Sequence, residues 1–185
     1  MENLSFHAPK NLWHWLQIYR LYRISFPKEE RKPFRTIYKL YRRGSFDIWM
    51  IRKKSAFSAL AINAKDGDLV LIDYLAVAPR KQDQGIGSAT LALMREYYAG
   101  KRIFLEIESV YEDTPELALR QRRKQFYLRN GMTPMNIMVK LFGVDMELMG
   151  FDCKIDYVQY YDFCLKSMGD WMADHLSSLP HPLEK

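Results

Sequence analysis

Cysteine is nearly missing from this chain: Cys153 and Cys164 are the only two in 185 residues. Two cysteines without C-x-x-C spacing supply neither a disulfide framework nor a zinc site, so a reducing cytoplasm is the expected setting. Long apolar runs are missing too. The strongest, "LVLIDYLAVA" at 69–78, carries Asp73 in its middle and falls well short of the roughly 18 residues a membrane span needs; no membrane is expected. The opening "MENLSFHAPKNLWHW" lacks the charged-then-apolar order of a secretory leader. Histidine is scarce as well. His7, His14, His175 and His181 lie toward the two ends, and no Ser–His or Cys–His pattern suggests a nucleophilic triad. No internal repeat or low-complexity tract is visible.

What is present is an ordinary globular composition. Apolar residues make up 48% of a chain long enough to bury a core without staples, and the expectation is one domain over 1–185. The net charge of +6 admits anionic partners: a phosphate-bearing cofactor, nucleic acid or an acidic surface. Basic residues crowd "FPKEERKPFR" at 26–35 and "RQRRK" at 120–124. Such runs are most often solvated faces.

Leu12, Trp15, Leu16, Tyr19 and Tyr22 recur at helical spacing and predict a helix over 11–25, stopped by Pro27. Pro33 and Gly44 bracket a second helix over 33–43. Apolar runs at 46–51, 57–62 and 69–77 read as strands, with Asp66-Gly67 as a hairpin signal. Ile86, Thr90, Leu93, Met94 and Tyr97 line one face of a further helix, and 103–107 is another strand. Thr114 reads as a helix cap with Pro115 in the first turn, and Asn130-Gly131 as the end of that helix. Strands near 136–142 and 145–150 precede a last helix from Ile155, with Val158, Tyr161, Leu165, Met168 and Met172 on its apolar face. Short turns make the early strands antiparallel. The strand–helix–strand stretch from 69 to 107 predicts a parallel pair. The fold class is mixed α/β.

The stretch "YLAVAPRKQDQGIGSATL" stands out, because Gly85 and Gly87 follow a strand and open a helix. Glycines allow backbone angles that other residues resist, and a helix N-terminus presents free N–H groups to an anion. A Walker loop is excluded because no Gly-Lys-Ser/Thr follows. A dinucleotide fingerprint lacks its third glycine, with Thr90 in that place. From these residues alone, a phosphate cradle and a plain tight turn both remain open.

"QDQGIG" at 82–87 is similar to the Gln/Arg-x-x-Gly-x-Gly/Ala signature of the GNAT acetyltransferases. "LAVAP" before it resembles the family's fourth strand, and "FYLRNGM" at 126–132 resembles its later Phe-Tyr-x-x-x-Gly-Phe motif. The element order also matches over nearly the whole chain. "FPKEERKPF" and "FLEIE" resemble more particularly an uncharacterised bacterial subgroup of the family. The resemblance implies a GNAT fold: a central, mostly antiparallel twisted sheet of about six to seven strands with a splayed parallel pair, flanked by helices.

The resemblance also implies roles. Asp83, Gln84, Gly85, Ile86, Gly87, Ser88 and Ala89 would surround the pyrophosphate of acetyl-CoA. Leu75, Ala76 and Val77 would pair through backbone with the pantetheine arm, the Val77 N–H polarising the thioester carbonyl. Tyr127 would protonate the departing thiolate, and Glu106 would act through water as general base. Glu108 and Asp73 would draw a cationic amine. Arg120, Arg123 and Lys124 would flank the cofactor near its 3′-phosphate. Arg120 stands where many members have an asparagine that contacts pantetheine, and Met132 stands where they have phenylalanine.

The function expected is direct transfer of acetyl from acetyl-CoA to a primary amine on a small-molecule acceptor. Acetyl-CoA enters as co-substrate, no metal takes part, and the setting is cytoplasmic. A homodimer stays open. The alternative is a non-catalytic protein that binds acyl-CoA or nucleic acid. The absence of stacking aromatics around 120–124 argues against nucleic acid.

Overall fold

The computed structural model describes residues 4–28 and 30–180. His181 and Glu29 lie outside the described residues. Eight strands are ordered β1-β2-β3-β4-β5-β7-β6-β8, and the chain divides into two compact units.

The first unit takes residues 1–65 and 72–99. It holds β1 (Leu4–His7), α1 (Leu12–Ser25), α2 (Phe34–Arg43), β2 (Phe46–Lys53), nearly all of β3 (Ala56–Asp66), most of β4 (Leu69–Val77) and α3 (Ile86–Tyr97). Asn11 caps α1 by accepting the His14 N–H, and Gly44 ends α2 in the left-handed conformation. β1, β2 and β3 pair antiparallel, with an irregularity between Ile51 and Arg52. The Tyr98 hydroxyl, just past α3, donates to Asp47 Oδ2 at 2.8 Å. It accepts from Trp49 Nε1 at 3.0 Å and Asn63 Nδ2 at 3.1 Å. One phenol thereby fastens the end of α3 to β2 and β3. Burial, opposed in part by the Trp49 hydrogen bond, holds that phenol protonated well above its usual range.

The second unit takes residues 66–71 and 100–185. It holds the first residues of β4, then β5 (Arg102–Glu108), α4 (Leu117–Arg129), β6 (Thr133–Leu141), β7 (Val144–Phe151), α5 (Tyr157–Met168), a short α6 (Asp170–Ala173) and β8 (Leu176–Leu179). Leu69–Leu71 pair in parallel with Arg102–Phe104, as the strand–helix–strand reading requires. β7 pairs antiparallel with β5 and β6, and β6 with β8. α5 opens on a capping box in which Asp156 and Gln159 satisfy each other's backbone N–H groups.

Several expectations are corrected. β1 and β8 bring the described strands to eight rather than six or seven; each has four residues, too few for periodicity to register. The buried stripe of α1 is Ile18, Leu21 and Tyr22, while Leu12 is 88% exposed. The buried stripe of α5 is Tyr160, Phe163, Cys164, Ser167 and Met168, and Val158 is exposed. In both helices the apolar residues fit two helical phases, and only Tyr22 and Met168 belong to both the expected and the covered set. Thr114 is not a cap: α4 begins at Leu117 behind Glu116, without a side-chain cap.

Gly150 in β7 sits where a Cβ would lie 2.7 Å from Cys153 Cβ and 3.2 Å from the Ile103 carbonyl oxygen. Gly150→Ala is expected to lower stability by about 1–3 kcal/mol through overpacking, read as an earlier urea midpoint with unchanged slope.

Candidate functional site

In the first unit the site candidates run from the end of β4 into α3. After Val77 the Ala78 N–H donates to the Ser58 carbonyl at 2.9 Å. A single 3-10 turn over Pro79–Lys81 follows. Asp83 then takes φ +59° and Gly85 φ +72°, both in the left-handed region that glycine favours and aspartate tolerates. The turn is stapled by its own side chains: Gln84 Nε2 donates to the Arg80 carbonyl at 3.1 Å, and Gln82 Nε2 to the Val77 carbonyl at 3.4 Å. Gln82, Asp83, Gln84 and Gly85 are exposed. Gly85 offers the first N–H groups of α3 no side-chain cap. These donors and the positive end of the helix dipole therefore converge on one exposed turn. Leu75, Ala76 and Val77 lie in β4 just before it.

Asp73 lies in the same strand, and its partner is Lys32, at 2.7 Å; their side chains are 4% and 8% exposed. The Lys32 N–H donates to the Tyr74 hydroxyl at 3.1 Å, and the Lys32 carbonyl accepts from the Tyr22 hydroxyl at 3.1 Å. The Tyr74 hydroxyl donates to the Glu30 carbonyl at 2.9 Å. Asp73 thus pins the segment between α1 and α2 to β4. Its other oxygen, Oδ2, is buried without a hydrogen-bond partner among the described residues.

The second unit holds the acid–base candidates. Glu106 and Glu108 share one face of β5 with Phe104, because they alternate with Leu105 and Ile107. Phe104 packs on Tyr160 and Phe163, which places α5 over that face. The fully buried Tyr160 hydroxyl donates to Glu106 Oε1. Burial first, and then the Glu106 charge, keeps that phenol protonated far above its usual range. Glu108 is paired with Arg123 and lies 3.4 Å from Arg120 Nε. Arg120 also reaches Glu112 at 2.8 Å and the Ser109 carbonyl at 3.1 Å.

The opposite face of the sheet carries Glu147, aligned with Ile107 across the β5–β7 pair and fully buried. Lys124 on α4 meets it at 2.6 Å, and its ammonium lies 5.2 Å from the Tyr111 ring. A cavity of about 370 Å³ lined by Val110, Gln121, Lys124 and Gln125 adjoins this pair. The "RQRRK" run is therefore only in part a solvated face, with Gln121 and Arg122 exposed. Arg120 and Lys124 are largely covered, and Arg120, Arg123 and Lys124 neutralise carboxylates of their own unit.

Tyr127 lies in the last turn of α4, where its carbonyl accepts from the Asn130 and Met132 N–H groups, each at 3.1 Å. Its ring is half-buried against Phe126. Desolvation around the hydroxyl raises the phenol's pKa, with the Arg123 charge opposing.

The sequence reading did not single out Lys32, Glu147 or Tyr160 as site residues. Tyr160 was hidden by the choice of the wrong face of α5. The Lys32 and Glu147 pairings join residues far apart in the chain, which no local pattern announces. Among the described residues no group of three or more His, Cys, Asp or Glu could hold a metal, and no helix is long and apolar enough to cross a membrane. Cys153 and Cys164 are both buried, and burial pushes the Cys153 thiol up to about 11.

No family model matches the chain, and no curated protein matches it in sequence. Solved structures do match. A protein assigned to the GNAT acetyltransferases from Bacteroides thetaiotaomicron is 20% identical, with a TM-score of 0.73 over 90% of this chain and 98% of that one. A GNAT-family acetyltransferase from Elizabethkingia anophelis, crystallised with acetyl-CoA bound, is 17% identical, with a TM-score of 0.58 over 84% of this chain and 100% of that one. The ribosomal-protein-S18-alanine N-acetyltransferase from Escherichia coli is 16% identical, with a TM-score of 0.59 over 83% of this chain and 96% of that one. The chain has the fold of the GNAT acetyltransferases.

Breaking the pair under α2 tests its structural weight. Lys32→Met leaves the Asp73 carboxylate buried without its cation and is expected to cost about 3–5 kcal/mol. Replacing both partners, Lys32→Met with Asp73→Leu, should restore most of that loss in urea unfolding.

Proposed function

We propose that this protein is an acetyl-CoA-dependent N-acetyltransferase acting by direct transfer. The observation that carries the reading is the turn before α3. Asp83 and Gly85 are both left-handed, and α3 opens without a side-chain cap, on a fold for which a solved structure holds acetyl-CoA. The residues from Asp83 to Ala89 would receive the pyrophosphate, and the backbone of Leu75, Ala76 and Val77 the pantetheine arm.

In the reaction the neutral amine attacks the thioester carbon, and the Val77 N–H stabilises the tetrahedral oxygen. The carbon–sulfur bond then breaks, and the departing thiolate takes the proton of Tyr127. The proton lost by the amine passes to Glu106, directly or through water. A phenol whose pKa is raised by burial is protonated at every physiological pH, as a general acid must be.

The acceptor is a primary amine on a small molecule in this reading. Glu108 and Asp73 carry cations of their own, and Glu106 accepts a hydrogen bond from the Tyr160 phenol.

Two experiments test the reading. Gly87→Asp places a carboxylate at the proposed phosphate seat and should weaken acetyl-CoA binding by about a hundredfold or more in calorimetry; unchanged affinity in the folded variant would remove the cofactor assignment. Tyr127→Phe deletes one hydroxyl. With an acceptor found by screening polyamines, aminoglycosides and peptide N-termini for CoA release, kcat should fall by about 10²–10⁴-fold while acetyl-CoA still binds. Full turnover would make Tyr127 a packing residue. A chain that binds acetyl-CoA but acetylates no amine in the screen would be the non-catalytic acyl-CoA binder.

A further inference from the structure

Charge is distributed very unevenly along this chain. Residues 10–43 hold ten of its 28 lysines and arginines but only two of its 22 acidic residues, and neither α1 nor α2 contains an acidic residue. Residues 66–185, by contrast, contain more acidic than basic side chains. On α1 the face opposite Ile18, Leu21 and Tyr22 carries Leu12, Leu16, Arg20 and Arg23, with Trp13 and Ile24 beside them. Leu12 is 88% exposed, Ile24 66% and Trp13 57%. α2 adds exposed Arg35, Lys39 and Arg42. The two helices are joined by an aromatic seam in which Trp15 packs on Phe34, Tyr38 and Tyr41. A helix apolar on both faces is ordinarily covered on both, and an exposed apolar face ringed by cations marks an interaction site.

We propose that the outer face of α1 and α2 docks on an anionic phospholipid surface. The side chains identify the partner. Leucine, isoleucine and tryptophan on a helix lying flat suit the boundary between headgroups and acyl chains, while flanking arginines and lysines meet the phosphates. RNA would use the cations but has no place for Leu12, Leu16 and Ile24, since bases stack on aromatic planes and not on branched aliphatics. A second copy meeting the same face would oppose two surfaces of like charge. Docking of this kind needs no membrane-crossing segment, and it is independent of the acetyl-transfer reading.

The test is flotation of the full chain with vesicles of phosphatidylcholine alone and of phosphatidylcholine mixed with phosphatidylglycerol. Binding is expected only to the anionic vesicles and should weaken as salt rises. Arg20→Glu with Arg23→Glu should reduce it by more than about tenfold, at about fivefold for each cation removed. Leu12→Ser with Ile24→Ser should reduce it by about tenfold or more, because two exposed apolar side chains lose their place in the lipid. All four positions are exposed, so thermal unfolding should be unchanged in both variants. The proposal is overturned if the anionic vesicles do not float the protein, or if neutral vesicles float it equally. It is also overturned if polyuridylate binds through the same arginines and lipid does not, which would assign the face to RNA. Sedimentation that shows a dimer disrupted by Leu12→Ser would assign the face to a second copy instead.

Discussion

A helix must satisfy its first N–H groups, and α3 begins without a side chain to do so. The rest of the first unit is organised around that exposed start. At the far end of α3 the Tyr98 hydroxyl is gripped by Asp47, Trp49 and Asn63 on two strands, which ties that end of the helix to both. At the near end the strand, the 3-10 turn and two left-handed residues hand the chain from β4 to α3 in eight residues, with Gln82 and Gln84 spending their amides on backbone carbonyls. Left-handed backbone at a non-glycine residue is strained and persists where its surroundings impose it. Asp83 is such a residue, and it stands where a rigid frame meets solvent.

The second unit depends on a different constraint, that a carboxylate taken out of water must be matched. Three glutamates in two neighbouring strands are matched in three ways. Glu147, wholly buried, takes the Lys124 ammonium; Glu108, at the strand end, takes two guanidinium groups; Glu106 takes a phenol. Each partner sits on a helix, Tyr160 on α5 and Arg120, Arg123 and Lys124 on α4, so the carboxylates fasten both helices to the sheet. α4 illustrates the consequence. None of its residues counts as fully buried, and its hold on the sheet includes ion pairs from Arg120, Arg123 and Lys124 rather than an apolar stripe alone.

How much of this was legible in the chain follows from the same physics. The strand–turn–helix around Gly85 could be read because an apolar run followed by closely spaced glycines admits few backbone paths, and the later "FYLRNG" motif fixed its context. The parallel pairing of Leu69–Leu71 with Arg102–Phe104 followed from the length of the helical connection. The faces of α1 and α5 could not be read by periodicity, because both helices carry large apolar residues around most of their circumference. On α1 the extra residues are those proposed to meet a lipid surface. The partners of Asp73 and Glu106 could not be read either: Lys32 is 41 residues from one and Tyr160 54 from the other, and only the folded chain brings them together.

The contrast between Glu106 and Glu108 explains why two glutamates two residues apart are not interchangeable. Two guanidinium groups beside Glu108 match its charge, which suits a strut. A phenol donates one hydrogen bond to Glu106 without cancelling its charge, and burial keeps that phenol from ionising. Glu106 thus has one oxygen oriented by Tyr160. A carboxylate in such a place can accept a proton and return it, whereas one locked between two arginines cannot do so without breaking the pairs that hold α4 in place. In the proposed reaction this contrast favours Glu106 as the base, with Glu108 part of the scaffold that holds α4.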